Sequence, residues 1–172
     1  MKKIIAGVML ALLTSACGWQ LRGTADIPQN LSHLYIETSE EKSPLVTELR
    51  KSLTANHIGL TDDSQNANYI LTLREEKRDK RTVGVGSDAL SSAYELSLKA
   101  DYEIRGKNNP LPAKATAISI RNFNYNTASI SSATQEEALL ITEMRRDLVQ
   151  QMLRRLNAVV THPQTPSANK SE

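Results

Sequence analysis

From Tyr94 to Ile104 the chain alternates without a break. Tyr94, Leu96, Leu98, Ala100, Tyr102 and Ile104 fall on one side, and Glu95, Ser97, Lys99, Asp101 and Glu103 on the other. Period two over that length specifies a β-strand in a sheet with one apolar face and one polar face. Such a sheet cannot stand alone, because its apolar face needs a cover. The rest of the chain is constrained to supply strands that extend the sheet and helices that cover it.

Two further strands and a fourth follow the same logic. Leu34 and Ile36 alternate with Tyr35 and Glu37, and Tyr69, Leu71 and Leu73 alternate with Ile70, Thr72 and Arg74. Gly106-Lys107-Asn108-Asn109-Pro110 reads as a turn, after which Lys114 to Tyr125 returns as a strand. That strand has Ile118 and Ile120 on one face and Arg121, Phe123 and Tyr125 on the other. Val83 to Ser92, rich in Gly and Ser, reads as a long hairpin connection or a segment free to insert against a partner.

Two stretches carry helical spacing. Ser43-Pro44 has the form of an N-cap with proline at the first helical position; Leu45, Val46, Leu49 and Leu53 follow, and Gly59 marks the stop. Near the C-terminus, Ser132 and Gln135 have capping-box spacing ahead of a stripe of Ile141, Met144, Leu148, Met152 and Leu156. Glu136 and Glu137 sit toward the start of this helix and Arg154 and Arg155 toward its end, as the macrodipole prefers. The expected order is β-α-β-β-β-α. The expected fold is α+β: a two-layer sandwich with a four-stranded, mostly antiparallel sheet and two helices on one face. The polar face of the sheet is then either wet or a docking surface.

The first residues have a different character. Lys2 and Lys3 precede an apolar stretch, Ile4 to Leu13, then small residues Thr14-Ser15-Ala16, then Cys17. The apolar run is too short to span a bilayer, which takes about 20 residues. The order of charge, apolar run and small residues is that of a secretory signal. The cysteine immediately after it makes the segment resemble a bacterial lipobox. Cys17 would then carry an S-diacylglycerol and, after cleavage, an N-palmitoyl group. Acyl chains contribute roughly 0.8 kcal/mol per buried CH₂, so several chains anchor stably. Gly18 stands where an Asp would favour retention in the inner membrane, which points to the outer membrane. The expected organisation is a signal at 1–16, an acylated linker at 17–30, an α+β domain at 31–160 and a polar tail at 161–172.

Charge and composition exclude several classes. Removing Lys2 and Lys3 from the 21 basic residues leaves them balanced against the 19 acidic ones, so non-specific nucleic-acid binding lacks its electrostatic basis. Cys17 is the only cysteine, so no disulfide framework exists. His33, His57 and His162 lack metal-ligand spacing, the seven glycines form no phosphate-binding loop, and no nucleophile elbow is present. Neither catalysis, a metal nor a cofactor beyond the acyl anchor is expected.

The start of the mature chain, Cys17-Gly18-Trp19-Gln20-Leu21-Arg22-Gly23, resembles that of the lipopolysaccharide-assembly lipoprotein family LptE. The element order resembles that family too, as does the run Gln150-Gln151-Met152-Leu153-Arg154-Arg155-Leu156 behind Glu143-Met144. The resemblance implies a plug inside the LptD β-barrel of the outer membrane, supporting barrel assembly and lipopolysaccharide delivery. It also implies possible direct contact with lipopolysaccharide. Basic residues assigned to that contact in the family lie near the start of the third strand and before the last helix. The corresponding stretches here, 83–88 and 129–133, hold no Lys or Arg. The candidate phosphate contacts are therefore Arg74, Lys77, Arg78, Lys80 and Arg81, since Arg and Lys pair naturally with phosphate. The opposing reading is a solvated run whose interleaved acids neutralise it. Trp19 and Leu21 either dip into the membrane interface or pack on the domain. The rival function is a lipoprotein of another envelope complex or a periplasmic lipid-binding module, which would need an apolar cavity.

Overall fold

The computed structural model describes residues 31–85, 91–107, 109–124 and 130–162. Along these, the order is β1 (Leu34–Thr38), α1 (Pro44–Ala55), β2 (Tyr69–Val85), β3 (Ser91–Gly106), β4 (Asn109–Asn124) and α2 (Ile130–Thr161). The strands lie side by side in chain order. β1 pairs parallel with β2, and the other two pairings are antiparallel. The single parallel pairing follows from α1, which carries the chain back across the sheet between β1 and β2. The expected α+β sandwich, with a mostly antiparallel sheet, is the observed fold.

Alternation sets which face is inside. Leu34 and Ile36 of β1, Leu71 and Leu73 of β2, and Leu96, Leu98, Ala100, Tyr102 and Ile104 of β3 are all buried in one core. β4 adds Ala117 and Phe123 to it. Small residues dominate β4 on this side (Ala113, Ala115, Ala117 and Ser119 lie opposite Ile104, Tyr102, Ala100 and Leu98), which leaves room for α2 to approach closely. Both helices fill the same core: Leu45, Val46, Leu49 and Leu53 from α1, and Ile141, Met144, Leu148, Val149, Met152 and Leu156 from α2. The faces of Ile118 and Ile120 and of Phe123 are as the alternation implies, but the isoleucine pair points away from the core, 43% and 50% exposed.

The N-terminus of α1 is as the sequence suggests. Pro44 opens the helix, and Ser43 Oγ accepts a hydrogen bond from the Val46 N–H at 3.3 Å. Its end is not at Gly59. The helix stops at Ala55, and His57 takes φ 60°, in the left-handed region. The His57 N–H donates to Thr54 O at 2.9 Å and the Ile58 N–H to Leu53 O at 3.0 Å. That pair of bonds, with Leu53 and Ile58 buried together, is a Schellman cap. Gly59 instead accepts from the His33 and Leu34 N–H groups through its carbonyl, at 3.0 and 2.8 Å, and so leads into the β1 edge.

Four further expectations change. β2 does not end near Arg74 but continues to Val85, and β3 begins at Ser91, so strand occupies both ends of the connection expected over Val83 to Ser92, and 86–90 lie outside the described residues. Hydrophobic alternation is silent over the extension because both faces of β2 carry charge there. β4 begins at Asn109, earlier than the expected Lys114 and inside the stretch read as a turn; it is described as far as Asn124, and Tyr125 lies outside the described residues. α2 begins at Ile130, which puts Ser132 inside the helix rather than at its cap, so the capping-box reading fails. The same start, with an end at Thr161, removes Glu136, Glu137, Arg154 and Arg155 from the terminal turns, where a helix dipole acts; no acid lies in the first turn and no base in the last.

Candidate binding surface

The charged run of β2 is organised by a bulge. Between Leu73 and Glu76 the strand gains a residue relative to Tyr102 and Ala100 of β3. Side chains have period two, so one extra residue exchanges the faces. Before the bulge the odd-numbered residues face the core; beyond it Glu76, Arg78 and Lys80 lie opposite Ala100, Leu98 and Leu96 on the core side, while Lys77, Asp79 and Arg81 face outward.

The core-side charges are held by α2. Arg145 grips Glu76 with two hydrogen bonds, Nε to Oε2 at 2.8 Å and Nη2 to Oε1 at 2.9 Å. Lys80 Nζ donates to Glu137 at 2.6 Å and stands 4.5 Å from the ring centre of Tyr94 and 5.3 Å from that of Phe123. Those rings are themselves stacked, with centres 5.7 Å apart. On the β4 side, Asp147 of α2 takes Arg121 and the hydroxyl of Ser119, the latter at 3.1 Å. Ion pairs thus fasten α2 where the sheet face ceases to be apolar, and the cation–π contacts tie Lys80 to the neighbouring strands.

The outward face is a mesh of paired charges. Arg74 and Lys114 both reach Glu103 at 3.6 Å, Lys77 reaches Asp101 at 3.9 Å, and Arg81 donates to Glu95 at 2.7 Å. Glu95 also raises the pKa of Arg81 above its ordinary value, by hydrogen bond and by charge. Thr116 donates to Asp101 and Thr72 to Glu37, both at 2.6 Å. Exposed pairs of this kind add little to stability, because solvent screens them and two long side chains must be held in one geometry. Their consequence is a polar surface with its charges already matched. The depressions on it are open and lined mostly by polar residues: one of about 410 Å³ by Glu37, Thr72, Leu73, Arg74, Lys77 and Asp101, and one of about 440 Å³ by Arg74, Glu103 and Lys114.

The five candidate basic residues therefore do not form one cluster. Arg74, Lys77 and Arg81 share the outward face, and Arg78 and Lys80 the core side. Four of them have carboxylate partners, drawn from neighbouring elements rather than from the run's own interleaved acids. Arg78 is exposed and has no carboxylate within ion-pair distance among the described residues. Sequence reasoning missed these pairings because three of the partners lie on β3, whose register against β2 depends on the bulge, and Glu137 lies 57 residues from Lys80 on α2.

The two edges of the sheet differ. β4 is capped midway by Gln151 of α2, whose side-chain amide accepts from the Ile118 N–H at 3.1 Å and donates to the Ile118 carbonyl at 2.8 Å. β2 is paired by β1 only from Tyr69 to Leu73. Beyond Leu73 its other side has no strand neighbour among the described residues.

Cys17, Trp19 and Leu21 lie outside the described residues. Among those described, no helix is long and apolar enough to cross a membrane, and no group of His, Cys, Asp and Glu is arranged to hold a metal ion.

Known proteins place this fold. Solved structures similar to it include the rare lipoprotein B of Shewanella oneidensis, at TM-score 0.66 and 18% identity, covering 76% of this chain and all of that one. A minor lipoprotein of Acinetobacter baumannii matches at TM-score 0.57 and 27% identity, over 74% of this chain and 92% of that one. Among characterised sequences, the LPS-assembly lipoprotein LptE of Photorhabdus laumondii is 27% identical over 154 residues, 88% of this chain and 82% of that protein. The LptE of Yersinia pestis is 27% identical over 88% of this chain and 73% of its own length. The family model described as "LptE: Lipopolysaccharide-assembly" matches residues 31–156, from the first core residue to the last buried leucine of α2. The chain belongs to the LptE family of lipopolysaccharide-assembly lipoproteins.

Proposed function

We propose that this protein is an outer-membrane lipoprotein of lipopolysaccharide assembly, tethered through acylated Cys17, whose α+β domain serves as the plug and assembly subunit of an LptD-like β-barrel. The observation that carries the reading is the family match across 31–156, essentially the whole packed domain. The surface is suited to the role. A barrel lumen is polar and water-lined, and the outward sheet face is dominated by matched charges, with Ile118 and Ile120 of β4 exposed beside them. An acyl anchor keeps the domain in the same membrane as the barrel and raises its effective concentration there.

The division into a signal at 1–16, a linker at 17–30, a domain at 31–160 and a tail at 161–172 belongs to the same reading. No catalytic step is assigned to the chain. The rival lipid-carrier reading needs an enclosed apolar cavity; the depressions described are open to solvent, and the space between sheet and helices is filled by fully buried side chains such as Leu34, Leu98, Met144 and Leu148.

The decisive experiment isolates the protein from envelope membranes in mild detergent. Co-purification of a large outer-membrane β-barrel, and a fall in correctly assembled barrel when the lipoprotein is depleted, are the expected results. A stable lipoprotein without any barrel partner would sink the reading. Labelled palmitate should enter the wild type and not Cys17→Ala.

Direct lipopolysaccharide contact by Arg74, Lys77, Arg78, Lys80 and Arg81 is part of the proposal. Phosphates would replace carboxylates on the paired members, and both are oxyanions suited to bidentate arginine. Changing Lys77, Arg78, Lys80 and Arg81 together to Gln should weaken lipopolysaccharide capture in a pull-down; undiminished capture would remove the run from consideration.

A further inference from the structure

β1 and β2 part company at Leu73. β1 is five residues long and β2 seventeen, so among the described residues the backbone of β2 from Arg74 to Arg81 is flanked by a strand, β3, on one side only. None of the backbone bonds that link loops and caps reaches this stretch among the described residues. At about 3.3 Å per residue it presents some 26 Å of edge. Natural sheets guard such edges by shortness, bulges, covers or charge. The opposite edge has a cover, Gln151 over Ile118. The β2 edge has the bulge at its start and charge, and the register from Glu76 to Arg81 runs on unbroken.

That charge bears on which strands can pair with the edge. Antiparallel pairing of two copies centred on Asp79 would set Lys77 against Arg81, Arg78 against Lys80 and Asp79 against Asp79. Every opposed pair would be of like sign, which destabilises that register; centred on Arg78, the pairing would instead set Lys77 against Asp79 and Glu76 against Lys80, so charge alone does not exclude a second copy. The stretch Lys77–Arg81 holds four cations and one acid. Lys77, Lys80 and Arg81 are engaged by Asp101, Glu137 and Glu95 of neighbouring elements, while Arg78 is exposed with no acid paired to it among the described residues. The edge therefore offers unused strand hydrogen-bonding capacity together with a surplus of positive charge at Arg78.

We infer that the β2 edge from Arg74 to Arg81 is a strand-docking site for an extended, acidic segment of a partner protein. The segment would lie beside β2 end-on to β1, extending the sheet through main-chain hydrogen bonds and placing a carboxylate against Arg78. Main-chain pairing gives such docking its affinity, and the side chains give it specificity. This inference stands apart from the barrel-plug reading, since any partner with an acidic extended segment suits it.

The test uses the full-length lipoprotein in detergent with a capped octapeptide of alternating Glu and Val. Two further octapeptides serve as comparisons: one alternating Lys and Val, and a Glu–Val version N-methylated at every second residue. Amide exchange is followed residue by residue. The Glu–Val peptide should slow exchange within Glu76–Arg81 by about tenfold or more while Ile118 is unaffected, and Arg78→Glu should weaken peptide binding about tenfold, as loss of a complementary charge does. Circular dichroism of Arg78→Glu should match the wild type, as expected for an exposed side chain. No slowing over Glu76–Arg81 would overturn the inference. So would equal slowing by the Lys–Val peptide, equal binding of the N-methylated peptide, or the same slowing produced by lipopolysaccharide alone. Slowing that grows with protein concentration in the absence of peptide would assign the edge to a second copy, and overturn it too.

Discussion

His57 holds the left-handed position of the α1 Schellman cap at φ 60°, a site where glycine is the usual occupant. A residue with a Cβ gives up roughly 1–2 kcal/mol in that conformation, part of which glycine would lose again through its freer unfolded chain. His57→Gly should raise stability by about 0.5–1 kcal/mol. A denaturant titration checks it, and an unchanged or lower midpoint would contradict it. Tyr102 offers a second residue-level test. Burial pushes its phenol above the ordinary value of 10.0, while Arg155 and Arg154 pull it back. A raised acid pKa means that the folded state holds its proton longer than the unfolded chain. The associated stability is complete below about pH 10 and is lost as pH climbs through the folded value. Stability curves of wild type and Tyr102→Phe should run parallel at neutral pH and separate above that point, the wild type falling faster. Arg155→Met, which removes an opposing cation, should move the Tyr102 titration further upward.

At the scale of the element, what was legible depended on whether one strand or helix carried its own signal. The alternation of β3 exposed its two faces, and Ser43-Pro44 fixed the start of α1. The extension of β2 was hidden because charge falls on both its faces from Arg74 onward. One clue was available: a strand as long as Tyr94–Ile104 cannot be fully paired by a partner that ends at Arg74. The bulge at Leu73/Glu76 and the ion pairs to α2 had no local signature, since their partners are about 60 or more residues away in several cases, as with Glu76 and Arg145 at a separation of 69. The candidate basic run was legible as residues but not as a site, because the bulge divides it between two faces. The role of Gln151 was equally invisible, a polar residue in a helix reading as solvated. Its amide does for Ile118 what a neighbouring strand would do. Gln151→Ala should uncover the β4 edge beside the exposed Ile118 and Ile120, at a stability cost of roughly 1 kcal/mol for the lost bonds. Sedimentation at rising concentration should then show self-association that the wild type lacks; a variant that stays monomeric would assign edge protection elsewhere.

Across the whole molecule, the two faces of the sheet divide the labour between folding and encounter. The core runs without interruption from Leu31 to Val160 and draws on every strand and both helices. The outward face adds charge pairs of small individual worth, so substitutions there should leave stability nearly unchanged while substitutions beneath it should not. Leu98→Ala, at a fully buried position in the middle of β3, should cost about 2–5 kcal/mol. Arg74→Gln should change stability by less than about 0.5 kcal/mol, because its side chain is 66% exposed and its pair is long. The same division makes a claim about the segment before Leu31. If the packed domain is self-sufficient, that segment acts by placing the domain at a membrane and adds nothing to the fold. A chain restricted to 31–162 should then unfold in one cooperative step, with a stability within about 0.5 kcal/mol of the full-length lipoprotein in the same detergent. Parallel urea titrations decide it: a deficit of several kcal/mol would mean that residues ahead of Leu31 complete the core, and the anchor and the domain would have to be treated as one folding unit.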